Sequence, residues 1–137
     1  MKYYAVIDTN VIVSAMLKSD STPAQVLREV LVGDIVLLVN EDILEEYFEV
    51  LSRAKFHFPA NTVKSLIDEL KNRAIYIDAS ATDEYIPDPD DAVFYEVVME
   101  VKKQTDAYLV TGNLKHFPEK PFVVTPREMI DIINKNK

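Results

Sequence analysis

The side chains of this chain that could do chemistry are carboxylates, amides and hydroxyls, since there is no cysteine and there are only two histidines. Hard oxygen ligands of this kind suit Mg²⁺ or Mn²⁺. Sites in which carboxylates hold such an ion commonly hydrolyse phosphodiesters, because the metal lowers the pKa of a bound water and neutralises charge on the phosphate. The candidates fall in four segments: Asp8, Thr9 and Asn10; Glu46; Asp88 and Asp91; Thr111 and Asn113.

The elements that must position these segments alternate along the chain. Continuous apolar runs alternate with amphipathic stretches, which predicts a single α/β domain over residues 1–137 with a mainly parallel sheet of four or five strands. Ligands bind such sheets outside the carboxyl ends of the strands. The predicted strands cover residues 3–7, 35–39, 74–78, 107–111 and 121–125, and the predicted helices cover 10–18, 23–32, 41–53, 62–73, 90–103 and 126–134.

Asp8 follows directly on the first predicted strand, YYAVI. In a parallel sheet this places its carboxylate at the edge where ligands bind. The alternative is that Asp8 only caps the helix that follows, as aspartate often does. The local sequence is compatible with both interpretations.

Two neighbouring glutamates are distinguished by a helical projection of EDILEEYFEVLSR. At about 100° per residue, Glu46 lies at the rim of an apolar arc, whereas Glu45 points to water. We therefore expect Glu46 to reach the sheet edge, against the alternative of an ordinary solvated helix acid. The apolar arc consists of Ile43, Leu44, Tyr47, Phe48, Val50 and Leu51.

The acidic segment IPDPDDAVF also has two interpretations. Asp88 is a suitable N-cap, Pro89 a suitable first helical residue and Asp91 a favourable acid in the first turn, so capping alone explains most of it. The same geometry presents carboxylates at a helix start after the third strand. Such acids are not normally gathered beside others unless a cation repays their repulsion.

Composition narrows the classes of function. The formal net charge is −8, which argues against a broad basic surface for nucleic acid. The absence of cysteine is typical of a reducing compartment, and we expect a cytoplasmic protein with no membrane association. His57 and His116 lack a ligand-spaced partner, so both are predicted to be structural or surface residues.

The order of four motifs, IDTNV, ILEEYFEVL, DPDDAVF and DAYLVTGNLKHF, resembles the PIN domain family, in particular the PIN-family toxins of toxin–antitoxin systems. The resemblance implies a Rossmann-like three-layer sandwich with strand order 3-2-1-4-5. It also implies a Mg²⁺- or Mn²⁺-dependent ribonuclease, a hydrolase of RNA phosphodiester bonds. A small antitoxin protein and a homodimer are the partners that it suggests.

The resemblance assigns roles residue by residue. Asp8, Glu46 and Asp91 match the family's first three catalytic acids, and Asp88 is a neighbouring acid. The fourth acid of the family corresponds to Asn113 here, which offers a neutral oxygen and would hold a second metal less tightly. The expected metal ligands are thus Asp8, Asp91, Asp88 and Asn113, and the expected supporting residues are Thr9, Asn10 and Thr111.

Two other classes of function compete with a nuclease. A phosphatase with an aspartyl nucleophile would have a second aspartate at position 10, which is asparagine here, and a receiver domain fits AIYIDAS poorly. A PIN-fold module that binds nucleic acid or protein with a weakened site is the stronger alternative. Asn113 is its main support.

Overall fold

The computed structural model describes residues 2–137, and its centre is a five-stranded parallel sheet. The strands lie in the order β3-β2-β1-β4-β5, and every neighbouring pair is parallel. The predicted α/β class and the order 3-2-1-4-5 are confirmed. The strands are β1 (Tyr3–Ile7), β2 (Ile35–Val39), β3 (Ile75–Tyr76), β4 (Tyr108–Val110) and β5 (Val123–Val124).

The central strand β1 is apolar throughout, and its last three residues are completely buried. Because side chains alternate between the faces of a strand, burial of consecutive residues means that both faces are covered. In the pairing with β4, Ile7 lies opposite Val110, and the Asp8 amide donates to the Val110 carbonyl at 2.9 Å. This register places Asp8 beside Thr111 at the carboxyl edge of the sheet.

Six α-helices cover the sheet in residues 2–137, and local signals set several of their ends. Ser21 caps α2 by accepting from the Ala24 amide, and Gly33 ends it in the left-handed region at φ 93°. Asn40 caps α3 by accepting from the Ile43 amide. The helices are α1 (Thr9–Leu17), α2 (Thr22–Val32), α3 (Glu41–Leu51), α4 (Ala60–Arg73), α5 (Ala92–Lys102) and α6 (Pro126–Lys135).

Several local predictions were wrong in detail, and one of them is the strand expected at 121–125, of which only Val123–Val124 pair. The strand expected at 74–78 has two residues in the ladder, because β3 is an edge strand that pairs only with β2. The helix expected from residue 90 begins at Ala92 after a 3₁₀ turn, Pro89–Asp91. Phe48 belongs to the predicted buried arc of α3 but is 50% exposed, because the helix buries only the part of the arc that contains Ile43, Leu44, Tyr47 and Leu51.

None of the helices in residues 2–137 combines the length and hydropathy needed to cross a bilayer.

Candidate active site

An open cleft of about 400 Å³ lies at the carboxyl edge of the sheet. Its polar lining comes from the end of β1, from α1 and α3, from the turn before α5 and from the segment after β4. Its apolar lining is Val13, Val50 and Phe56. The polar residues facing it are Asp8, Thr9, Asn10, Ser14, Glu46, Asp88, Asp90, Asp91 and His116.

The Asp8 side chain is held by the residue that follows β4. Asp8 occupies the N-cap position of α1, but its side chain makes no capping hydrogen bond. Its Oδ2 instead accepts from the hydroxyl of Thr111 at 2.8 Å, and both residues are buried. The side chain of Asp8 is thus tied to Thr111, and the backbone of Thr9 and Asn10 also contributes to its surroundings.

Glu46 and Glu45 differ in the way that the helical projection predicts. Glu46 is half-buried, and its Oε2 accepts a hydrogen bond from the hydroxyl of Thr9, whereas Glu45 is exposed. The adjacent Tyr47 is completely buried, and its hydroxyl donates to the carbonyl of Ile7, the residue before Asp8. This bond ties α3 to the end of β1, so Glu46 is held close to Asp8.

The turn before α5 contributes three carboxylates to the cleft, and two of them, Asp88 and Asp91, differ in their contacts. The Asp88 side chain accepts from the Asp90 amide at 3.0 Å and is thus engaged in the capping role that its sequence predicts. Asp91 stands at the N-cap of α5 without a side-chain capping bond. Its Oδ2 is buried and has no aligned hydrogen bond, although His116 Nδ1 lies 3.1 Å away at ion-pair distance.

Burial and mutual repulsion shift the pKa values of these acids upward. Burial is the main cause for Asp8 and for Glu46, and the charge of Asp8 adds to the raised pKa of Glu46. The pKa of Asp91 rises to about 6, first through burial and then through the charges of Asp8 and Asp88. The fold therefore disfavours three negative charges in this cleft, and a cation there would offset the penalty.

Comparison with known families settles the relationship of this chain. The family model described as the PIN domain matches residues 4–115 of this chain. The chain belongs to the PIN domain family. A search of curated proteins gave no significant match.

The PIN domain fold is also shared with a solved structure, that of VapBC2 from Rickettsia felis bound to a DNA fragment from their promoter. The TM-score is 0.59 at 20% sequence identity, and the match covers 89% of this chain and 96% of the other. At this level of identity the likeness concerns the fold.

This PIN domain contains no preformed metal cage within residues 2–137, where no three acidic, histidine or cysteine side chains are grouped closely enough to hold an ion together. The donor set nevertheless fits a hydrated divalent ion. Mg²⁺ keeps several waters and is usually held by one or two carboxylates. Asp91 Oδ2, buried and without an aligned hydrogen bond, is a donor of that type.

The other residues that we singled out from the sequence have distinct contacts in the PIN domain. Asn10 uses its side-chain oxygen to accept from the Gly112 backbone amide at 3.3 Å, which joins the start of α1 to the segment after β4. Asn113 is exposed and contacts His116 instead of lining the cleft. His116 does line the cleft, which the sequence did not indicate, since no metal-ligand spacing marks it.

Proposed function

We propose that this PIN domain is a metal-dependent endoribonuclease that hydrolyses RNA phosphodiester bonds. The observation that carries the proposal is the convergence of Asp8, Glu46 and Asp91 from three separate elements on one open cleft, each with a raised pKa. A fold that accepts this repulsion gains from a bound cation. Membership of the PIN domain family supports the same chemistry.

Asp8 and Asp91 would hold one Mg²⁺ or Mn²⁺, with Asp88 as a neighbouring acid. When bound, the ion supplies a water of lowered pKa and neutralises charge on the phosphate. Asp8 is suited to this role because the bond from Thr111 fixes its orientation. Asp91 is suited because its buried oxygen is not engaged in an aligned hydrogen bond.

We assign Glu46 the role of orienting the water that attacks the phosphate. The hydroxyl of Thr9 occupies Oε2 of the carboxylate, so Oε1 is left to accept a hydrogen bond from water. The bond from Tyr47 to β1 limits the motion of α3 and holds that oxygen in place. Positioning of a nucleophile in this way lowers the entropic part of the barrier.

The cleft suits a single-stranded substrate better than a duplex, since a duplex would be bound through a basic surface. The chain carries a net charge of −8, so long-range attraction to phosphates is weak. Phe56 lines the cleft beside the acids, and the Lys55 amine lies 5.1 Å from the centre of its ring. An aromatic ring and a lysine next to the acids can stack a base and contact a phosphate.

We further propose that the protein is the toxin of a toxin–antitoxin pair, with a small antitoxin as its partner, and that it acts in the cytoplasm as a homodimer. The motif resemblance and the fold shared with VapBC2 support a toxin. The domain boundaries that we propose are residues 1–137.

A PIN-fold binding module with a weakened site is the second candidate function. Two observations favour it: Asn113 stands in place of an acid, and the described residues contain no preformed cage of three metal ligands.

Cleavage of a labelled single-stranded RNA separates these candidates. The purified chain, without any partner protein, is incubated with Mn²⁺ or Mg²⁺, and parallel reactions contain EDTA or single-stranded DNA of the same sequence. We expect RNA cleavage that EDTA abolishes and that Asp8→Asn lacks. Binding of RNA without cleavage would support the module, and equal cleavage by Asp8→Asn would indicate a contaminating nuclease.

A further inference from the structure

We propose that Asn113 and His116 are positioning residues for the Asp91 carboxylate, and that position 113 carries an amide because an amide can donate a hydrogen bond to the imidazole. The inference rests on the proposed function, since it concerns how Asp91 is prepared to hold a metal ion. It gives Asn113 an active role at a position where the family resemblance suggests a lost acid.

The two proposed metal ligands are joined by one continuous chain of contacts. The hydroxyl of Thr111 donates to Asp8 at 2.8 Å and accepts from the backbone N–H of Asn113 at 3.0 Å. The side-chain Nδ2 of Asn113 lies 3.1 Å from His116 Nε2. The other imidazole nitrogen, Nδ1, lies 3.1 Å from Asp91 Oδ2. A displacement of Asn113 or His116 therefore changes the surroundings of the Asp91 carboxylate.

The donor on Asn113 selects the hydrogen position on the imidazole. An amide nitrogen donates and cannot accept, so Nε2 of a neutral His116 must be the acceptor. The hydrogen then resides on Nδ1, the nitrogen that faces Asp91. In residues 2–137 this is the one ion-pair contact of the Asp91 carboxylate, whose Oδ2 is otherwise buried and without an aligned partner.

A short turn keeps the pair together. Residues Leu114–His116 form a 3₁₀ turn, and the backbone amide of His116 donates to the carbonyl of Asn113 at 3.0 Å. Asn113 occupies the N-cap position of this turn, so its side chain and that of His116, three residues later, lie on the same side. Their contact follows directly from the sequence N-L-K-H after β4.

An aspartate at position 113 would reverse the hydrogen-bond direction. A carboxylate accepts only, so a neutral imidazole would donate to it from Nε2 and leave the Nδ1 lone pair facing Asp91. The substitution that restores the family's acid is therefore expected to weaken the site. This expectation is opposite to the one that follows if Asn113 is merely a degraded metal ligand.

The chain offers a direct spectroscopic test, because it contains only two histidines. Nitrogen-15 NMR of the metal-free protein, at a pH where the imidazole signals no longer change, reports which ring nitrogen of the neutral ring carries the hydrogen. We expect Nδ1–H at His116 in the wild type and Nε2–H in Asn113→Asp. His57→Asn removes the other histidine, which is exposed, and assigns the signals. Nε2–H at His116 in the wild type would overturn the proposal.

Manganese affinity, measured by calorimetry, gives a second readout. His116→Asn keeps an amide donor near the place of Nδ1, whereas His116→Gln places its donor near that of Nε2. Loss of an outer partner of a metal ligand typically costs 10–100-fold in affinity. We expect a loss of about 10-fold or more for His116→Gln and Asn113→Asp, and affinity within about 3-fold of wild type for His116→Asn.

Cleavage kinetics on the same proteins separate this inference from the proposed function. We expect kcat to fall with affinity while KM for RNA stays nearly constant. Equal manganese affinity in all variants, or tighter binding by Asn113→Asp, would overturn the positioning role even if the wild type cleaves RNA. The expected pattern of affinities without any RNA cleavage would instead overturn the proposed function alone.

Discussion

The hydroxyl of Thr111 shows how much of this site depends on single polar atoms. It donates to Asp8 and accepts from the Asn113 amide, so both of its hydrogen-bonding capacities are used in a completely buried position. The hydroxyl of Thr9 has the corresponding role at Glu46. Two of the acids facing the cleft thus rely on a neighbouring threonine for their orientation.

Periodicity decides which residues of the site could be predicted from the sequence. Glu45 and Glu46 differ in their position around the helix, and the sequence determines that position. The proximity of His116 to Asp91 depends on where the turn after β4 ends relative to the start of α5, and no local pattern contains that. The site roles of these residues remain predictions.

The first prediction concerns the two glutamates of α3. Glu46→Gln keeps the size of the side chain but removes the charge that we propose to order the attacking water. We expect metal-dependent cleavage to fall by about 10²-fold or more. Glu45→Gln should stay within a few-fold of wild type, because that side chain is exposed and points away from the cleft.

Both variants are to be measured at saturating Mn²⁺, with folding checked by circular dichroism. Loss of cleavage in Glu45→Gln with retention in Glu46→Gln would shift the assignment by one residue. Full activity in both would remove Glu46 from the mechanism and strengthen the binding-module alternative.

The second prediction concerns Asp8→Asn. The amide oxygen can still accept from Thr111, and removal of a buried charge relieves repulsion, so the metal-free stability should hold or rise. Affinity for Mn²⁺ should fall strongly. Thermal unfolding in EDTA and calorimetric titration measure the two quantities, and equal Mn²⁺ affinity in both proteins would exclude Asp8 from the site.

At the scale of elements, the site is an outcome of strand register. β1 and β4 end together because Ile7 pairs with Val110, which places two polar residues side by side although they are 103 positions apart in sequence. The alternation of elements predicted this edge. The short ladders of β3 and β5 were not predicted, because an apolar run shows where a strand can form but not how many of its residues find a partner.

The third prediction concerns the attachment of α3 to β1. Tyr47→Phe removes the donor to the Ile7 carbonyl, which leaves a buried acceptor unsatisfied at a cost of about 1–3 kcal/mol. We expect lower stability and a reduced kcat through loss of Glu46 positioning, with Mn²⁺ affinity little changed. Tyr85→Phe is the matched control, since Tyr85 is 81% exposed. An unchanged kcat in Tyr47→Phe would show that the bond serves stability only.

At the scale of the whole molecule, the distribution of charge destabilises the fold when no metal is bound. The chain has a net charge of −8, and three of its acids share one cleft with raised pKa values. Composition predicted the excess of acid. The raised pKa values could not be predicted, because they depend on burial, and burial exists only after folding.

The fourth prediction is the pH dependence of stability without metal. Between about pH 4 and 6 the folded state binds more protons at Asp91 than the unfolded chain does, because its pKa rises from 3.8 to about 6. Stability from this group is therefore greatest below that window and is lost as the pH rises through it. Asp8 and Glu46 act in the same direction.

Urea unfolding in EDTA at several pH values, for wild type and Asp91→Asn, measures this effect. We expect the free energy of unfolding of the wild type to decrease relative to Asp91→Asn as the pH rises from about 4 to 7, by on the order of 2 kcal/mol. Parallel curves for the two proteins would show that Asp91 titrates normally. Saturating Mn²⁺ should reverse the trend, since ligands bind metal deprotonated.

The pairing of β1 with β4 has a consequence for the order of events during synthesis. Asp8 is made 103 residues before its partner Thr111, and the imidazole of His116 follows still later. Until β4 takes its place beside β1, the carboxylates have neither their orientation nor their common cleft. The nuclease site that we propose would thus be inert until β4 is in place, and the messenger and the ribosome that produce it would not be exposed to a working site.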